Sequence, residues 1–426
     1  MYTLPKKLKL FAIAFMVVGA IGMIAGFLSA PKTTAEVKEM MASHHGDGHG
    51  ETVEDVSHGD NLGEVNEDAH GGEDAHYEHV LHQMQNRPWS ALYIASFFFF
   101  MIALGTLAFY AIQYAAQAGW SPVLFRVMEG ITAYLPVASV IIFVLLLLSA
   151  FHVNHIFHWM DPELVNPESE HYDKLIAGKS GFLNVPFFLI RAAIFLLGWN
   201  LYRWISRKNS IADDTAEDNR YFKKNFKASA GFLVFFIVTE SMMSWDWIMS
   251  VDPHWFSTLF GWYVFASMIV SGITTIALMT IYLKSKGYMK FVNDSHLHDL
   301  AKYMFGFSVF WAYLWFSQFM LIWYANIPEE VTYFVTRIED YPIPFFTMFA
   351  LNFIFPFCKS DIPFRGSKIR PSISAYIAFI VKSLREASCS QFEVNSTFAC
   401  LPSVETSFLR VVISNFFLFK ITVTVP

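Results

Sequence analysis

The sequence predicts an all-α polytopic membrane protein, and three observations carry that prediction. Hydrophobic residues make up 54% of the 426 positions, with 45 Phe and 12 Trp, which is too apolar for a chain folded around one water-facing surface. Apolar runs of about 20 residues, enough to cross a bilayer as helix, recur along the chain. Lys and Arg crowd some of the intervening loops and Asp and Glu crowd others, so the net charge of −6 conceals a segregation.

The first span, residues 8–30, follows a short basic start of Lys6, Lys7 and Lys9. It is longer than the apolar core of a typical secretion signal, so an uncleaved transmembrane helix is expected over residues 1–30, with Ser29-Ala30 as a weak cleavage alternative. Residues 31–88 are a different material, rich in Asp, Glu, Gly and His. They offer too little apolar surface to offset the entropy of ordering, and a largely flexible acidic loop is expected. His44, His45, His49, His58, His70, His76 and His79 invite a metal-loading or proton-buffering reading. No pair of them has the fixed spacing of a structural site, so a solvated linker is expected and no metal ligand is assigned.

Residues 89–357 read as transmembrane helical bundles. Spans are expected at 89–113, with its FFFFM core, at 131–151, at 185–204, from about 228, at 259–283, at 301–324 and from about 344. With the N-terminus inside, the inner segments collect most of the Lys and Arg, including Arg126, Arg203, Arg207, Lys223, Lys224 and Lys284. That bias orients the N-terminus to the cytoplasm and the His-rich loop outward.

The ionisable residues near the outer ends are the chemically suggestive ones. Charged side chains inside a span are costly and usually face a bundle interior, a partner or a water path. The stretch GFLVFFIVTESMMSWDWIMSVDPHW, residues 231–255, carries Glu240 deep in its span, Asp246 near its end and Asp252-Pro253 as its stop. Glu240 and Arg191 are expected to form a charge pair between neighbouring helices. Glu240, Asp246, Asp252 and Arg191 are the candidates for a proton path. On helical spacing His152, His155 and Trp159 fall one turn apart in succession, and with Asp161 they are candidates to hold a quinone headgroup. Capping of helix ends explains the same residues. Asp161-Pro162 and Asp252-Pro253 close their spans alike and hint at an internal repeat. Gln318, Asn326 and Tyr263 are expected to make helix-to-helix hydrogen bonds.

Absences narrow the chemistry. Histidines cluster at span ends and loops rather than deep on facing helices, as a membrane cytochrome b requires, and there is no Cys-x-x-Cys-His and no cysteine cluster for iron and sulfur. Electron transfer then needs a quinone or a cofactor on another subunit, and nothing points to nucleic acid.

The motifs HVLHQMQNRPW, AAQAGWSPVLFRVMEGITAYLP, IAGKSGFLNVPFFLIRAAIF, FLVFFIVTESMMSWDWIMSVDPHWFSTLFGWYVF and VNDSHLHDLAKYMFGFSVFWAYLWFSQFMLIWYANIPEEVTYF resemble the second NrfD/PsrC-like integral membrane subunit (ActF-like) of bacterial alternative complex III. The resemblance covers roughly residues 1–357. It implies two four-helix bundles plus additional spans, in a bacterial inner membrane, within a quinol:cytochrome c (or oxidase) oxidoreductase. It also implies partners: a multihaem cytochrome c subunit, an iron-sulfur subunit, a paralogous NrfD-like membrane subunit and a terminal oxidase. Haem and iron-sulfur cofactors then sit on those partners, menaquinone is the redox lipid, and no cofactor is bound covalently here. The family's quinol site is associated with the paralogous subunit, which leaves scaffolding and a proton path as the roles implied for this one. A stand-alone proton or ion transporter and a purely structural anchor are the rival readings.

From Cys358 the chain changes character. Its three cysteines, Cys358, Cys389 and Cys400, all fall there, with Gly366 the only glycine and no tryptophan. The closing helices of the family are missing, and a shifted reading frame or a sequence error near Phe357 is expected to account for residues 358–426.

Overall fold

The computed structural model describes residues 6–38, 71–169 and 172–354. The metal-arm reading of residues 44–70 and the frame-shift reading of residues 358–426 lie outside the described residues. Among the described residues there is no strand, and seven helices are long and apolar enough to cross a membrane. The protein is a multi-pass helical membrane protein.

The long helices are α1 (Lys6–Ser29), α2 (Gly71–Ala115), α4 (Leu135–Ala150), α6 (Val185–Asp213), α7 (Arg220–Trp247), α8 (Phe260–Ser285) and α9 (Asp294–Ala325). Shorter helices are α3 (Phe125–Thr132), α5 (Lys174–Lys179), α10 (Pro328–Glu339) and α11 (Pro342–Phe349). A π-helical turn, Ala350–Ile354, continues α11. Helix α2 begins at Gly71, so the span expected from residue 89 is continuous with a helical stretch reaching back into the acidic segment. Pro88 is accommodated inside it. The flexible loop expected over residues 31–88 is therefore too long by its last 18 residues on the count from Gly71.

Helices α2, α4, α6 and α7 close a ring in which each packs on the next, and α8 adds to this bundle against α2 and α7. Helix α9 packs on α8, and α10 and α11 fold against its end. The α2–α8 contact is close because glycines face it. A methyl group on Gly272 would fall 2.7 Å from the Thr106 amide nitrogen and 2.8 Å from the Gly105 carbonyl carbon. Small residues let helix backbones approach, which is how membrane helices gain packing energy when lipid removes the hydrophobic drive. Several hydroxyls on α8 bond back to their own helix, as in Ser271 to the Ser267 carbonyl at 2.7 Å and Thr280 to the Ile276 carbonyl at 2.7 Å.

The ring is filled with aromatic side chains. Phe100, Trp199 and Trp247 are buried and lie with centroids 6.0–6.1 Å apart, and Phe97 and Phe195 extend the cluster. The Trp199 indole donates to the Thr239 hydroxyl at 3.0 Å, and the Tyr93 hydroxyl donates to the Trp247 carbonyl at 3.0 Å. By contrast α1 exposes most of its apolar length, Leu10 and Leu28 included. It meets α2 near its end, where Phe27 lies edge-on to Trp89 at 4.8 Å.

Candidate functional site

The decisive geometry lies where α6 starts and α7 ends. These helices run antiparallel with Trp199 level with Thr239, so Arg191, about 12 Å further along α6 at 1.5 Å per residue, comes level with Asp246. The two form a bidentate pair, Nε to one carboxylate oxygen at 2.6 Å and Nη2 to the other at 2.9 Å. Both side chains are buried, Asp246 completely. Nη1 donates to the Phe182 carbonyl at 3.1 Å, and the guanidinium lies over the Phe182 and Phe187 rings. Paired, hydrogen-bonded and stacked, the guanidinium is satisfied in the way a buried charge requires.

This corrects the expected Arg191–Glu240 pair. Glu240 lies six residues before Asp246 on α7 and so sits nearer the middle of the span. It is 2% exposed, and its Oε1 has no hydrogen-bond partner among the described residues. Among the described residues Glu240 is thus a carboxyl group without a counterion within a membrane-spanning helix, whereas Asp246 is paired with Arg191.

A second correction concerns the expected stripe. Helix α4 ends at Ala150, and His152 takes the left-handed conformation at φ 57° that stops it. His152, His155 and Trp159 therefore do not share a helix face. His152 is exposed; His155 is exposed and fixed by its backbone, its N–H donating to Asn86 Oδ1 at 2.9 Å and its carbonyl accepting from Asn86 Nδ2 at 3.2 Å. Trp159 is buried against Phe188 at 5.4 Å and is a packing residue. Asp161 is exposed and caps the next turn, accepting from the Glu163 amide at 3.0 Å. Each of the four thus has its own local role: an exposed helix stop, a backbone tie to Asn86, a packing indole and a turn cap. Their residue types suited a quinone, but the chain leaves helical geometry just where the stripe was to run.

What the loops do gather is a set that sequence reasoning passed over. The Lys179 ammonium at the end of α5 donates to the Pro253 carbonyl at 2.6 Å and lies over the Phe256 ring. His254 meets the Asp173 carboxylate at 2.5 Å. Burial lowers the Lys179 pKa, opposed by the charges of Asp252 and Asp173. Burial pushes the Asp173 carboxyl up, but hydrogen bonds from His254 and from the Ile176 and Leu175 amides outweigh it and hold the group below its ordinary value. Asp252 thus belongs to a partly exposed charged strap over the end of the bundle, joining residues 173–179 to 252–256. The signal was present in sequence as the N-capping Asp173 before α5, but nothing in the order of residues announced its partner 81 positions away.

At the opposite end, Glu129 on α3 is buried and takes Arg126 at 2.8 Å, Arg207 of α6 and the Tyr110 hydroxyl at 3.2 Å. Arg126 also reaches Asp214 and the Ser210 carbonyl. Residues that served in sequence only as loop charge thus tie α2, α3 and α6 together.

No protein-family model matches this chain, and no curated protein matches it.

The lesser candidates resolve individually. Gln318 accepts from the Ser257 hydroxyl at 2.6 Å, tying the loop before α8 to α9. Tyr263 reaches the Met348 sulfur at 3.7 Å between α8 and α11. Asn326 is no interhelical bridge: at φ 48° it is the left-handed cap that ends α9. Among the described residues, no three His, Cys, Asp or Glu side chains gather as metal ligands.

Proposed function

We propose that the protein is an integral membrane subunit of a quinol:electron-acceptor oxidoreductase of the alternative complex III type, anchoring peripheral redox subunits and moving protons through its helices. The observation that carries the proton part is Glu240, a buried carboxyl group in a membrane-spanning helix whose Oε1 has no partner among the described residues, because such groups are retained against their cost where charge moves. The motif resemblance carries the assignment to the complex. In that reading the bundle of α2, α4, α6 and α7 is the first of two four-helix bundles, and α8 to α11 belong to the second. The Lys and Arg bias then puts the N-terminus in the cytoplasm of a bacterial inner membrane and the Asp246 end outward. Menaquinol is oxidised near that outer face, protons leave outward, and electrons pass to iron-sulfur and haem groups on partner subunits. The Lys179–Asp252 strap is the docking face for those subunits.

A purely structural anchor is the second reading, and the aromatic filling of the ring favours it. Rings packed from Phe97 to Trp199 leave the helix interior lined by carbon rather than by a chain of polar groups. Purification in mild detergent with subunit identification and a haem spectrum separates these readings from a stand-alone transporter. Co-purifying c-type haem is the expected result, and a haem-free single protein overturns the assignment. Within the complex, Glu240→Gln is expected to lower proton release per quinol oxidised; unchanged release assigns the subunit to anchoring alone.

A further inference from the structure

Arg337, near the end of α10, is 4% exposed, yet among the described residues it has no carboxylate partner. Its guanidinium lies over the Tyr333 ring at 3.4 Å from the centroid, and Nη1 donates to the Tyr333 carbonyl at 2.6 Å. The construction repeats that of Arg191, with an aromatic ring under the guanidinium and a backbone carbonyl on Nη1. The difference is the remaining edge. In Arg191 the Nε and Nη2 edge carries the two oxygens of Asp246; in Arg337 that edge has no acceptor among the described residues. A planar fork of this kind matches a carboxylate or a phosphate, and a buried guanidinium left without one is costly.

The surroundings select among oxyanions. Tyr333 is stacked on Trp255 at 4.1 Å and Phe334 is wedged against Phe319 at 5.2 Å, so α10 is held as a rigid shelf. The two helices that pack on it present large apolar side chains outward: Leu321 and Trp323 from α9, Ile343 and Phe346 from α11. Such a surface meets acyl chains. Two and three residues after Arg337, Glu339 and Asp340 are exposed carboxylates, which repel a purely anionic headgroup and attract an ammonium.

We propose that Arg337 binds the phosphodiester of a zwitterionic phospholipid carrying a primary ammonium, of the phosphatidylethanolamine class. The phosphate oxygens take the free guanidinium edge, the ammonium takes Glu339 and Asp340, and the acyl chains lie along Ile343 and Phe346. This site does not depend on the respiratory reading.

The test uses the full chain, delipidated in mild detergent and offered phosphatidylethanolamine, phosphatidylcholine or phosphatidylglycerol, with bound lipid counted by native mass spectrometry. Phosphatidylethanolamine is expected to be retained about tenfold over phosphatidylglycerol, the size of one charge-assisted hydrogen bond expressed as affinity. Arg337→Gln is expected to abolish retention, and Arg337→Lys, which keeps the charge without the fork, to fall between. The paired variant Glu339→Gln, Asp340→Asn leaves the buried guanidinium in place and is expected to close the gap between ethanolamine and choline lipids, which keeps the test decisive where Arg337→Gln fails to fold. Equal retention of all three lipids overturns the proposal, as does a preference that survives Arg337→Gln. Inorganic phosphate retained by the parent chain and lost in Arg337→Gln, with no lipid retained, overturns it as well, as does a carboxylate of another subunit found on Arg337 in an isolated complex.

Discussion

Arg191 and Arg337 are both buried, both stacked on aromatic rings, and both tied through Nη1 to a backbone carbonyl. Among the described residues, only Arg191 of the two has a counterion. The difference follows from where each sits. Arg191 projects from a helix of the closed ring, so the antiparallel neighbour α7 supplies Asp246 at the matching level. Arg337 projects from a short helix folded on the outside of α9, where the described residues provide a ring beneath it but no carboxylate partner. A closed bundle can answer its own buried charge from a neighbouring helix; the edge helix has no such neighbour among the described residues.

The largest expected effect breaks the answered pair. Asp246→Ala strands a buried guanidinium and is expected to cost about 3–5 kcal/mol, read as a large drop in unfolding midpoint in mild detergent. The double variant Arg191→Met, Asp246→Leu removes both charges and is expected to recover most of that loss. A double variant as unstable as Asp246→Ala would mean that packing, not charge, is what fails. Arg337→Met in delipidated protein sharpens the comparison, because it removes a buried guanidinium that has no carboxylate partner among the described residues. It is expected to leave the unfolding midpoint unchanged or raised, and a loss as large as that of Asp246→Ala would erase the distinction between the two arginines.

Next in size is the α2–α8 contact. Gly272→Leu forces side-chain atoms into the Thr106 and Gly105 backbone, and since backbone cannot yield as a flexible side chain does, about 1–3 kcal/mol is expected. Thermal unfolding checks it, with Gly231→Leu as the control, because a Cβ there meets nothing within 4 Å.

The helices were legible in the sequence because lipid imposes length and hydropathy on anything that crosses it. The spans expected at 185–204 and 259–283 differ from α6 and α8 mainly in where they stop, since α6 runs on to Asp213 as a polar helix that the hydropathy signal does not register. Asp246 and Arg191 were legible as ionisable residues within spans. Their partnership was not, because it depends on the register between two antiparallel helices, and a shift of six residues exchanges Asp246 for Glu240. The His152–Trp159 stripe failed for a different reason. It assumed that α4 continues, and a non-glycine residue at positive φ, as His152 adopts, gives no warning in the sequence. Glu129 and the Lys179 strap were illegible because their partners lie in distant segments.

The smallest expected effect concerns the strap, where the charges are half in water. His254 is 55% exposed and Asp173 23% in their side chains, so the pair is worth only about 0.5 kcal/mol after screening. Its pH dependence has a definite sign. Because the folded state holds the Asp173 carboxyl below its ordinary 3.8, the unfolded chain takes up that proton first. The stabilisation is therefore complete above about pH 4–5 and is lost as pH falls through the folded value. Asp173→Asn is expected to remove this small acid-limb contribution while leaving the unfolding midpoint near pH 7 lowered by no more than a few degrees. Unfolding midpoints of parent and variant between pH 3 and 7 check it, and curves that run parallel down to pH 3 would show that the carboxylate adds nothing beyond capping α5.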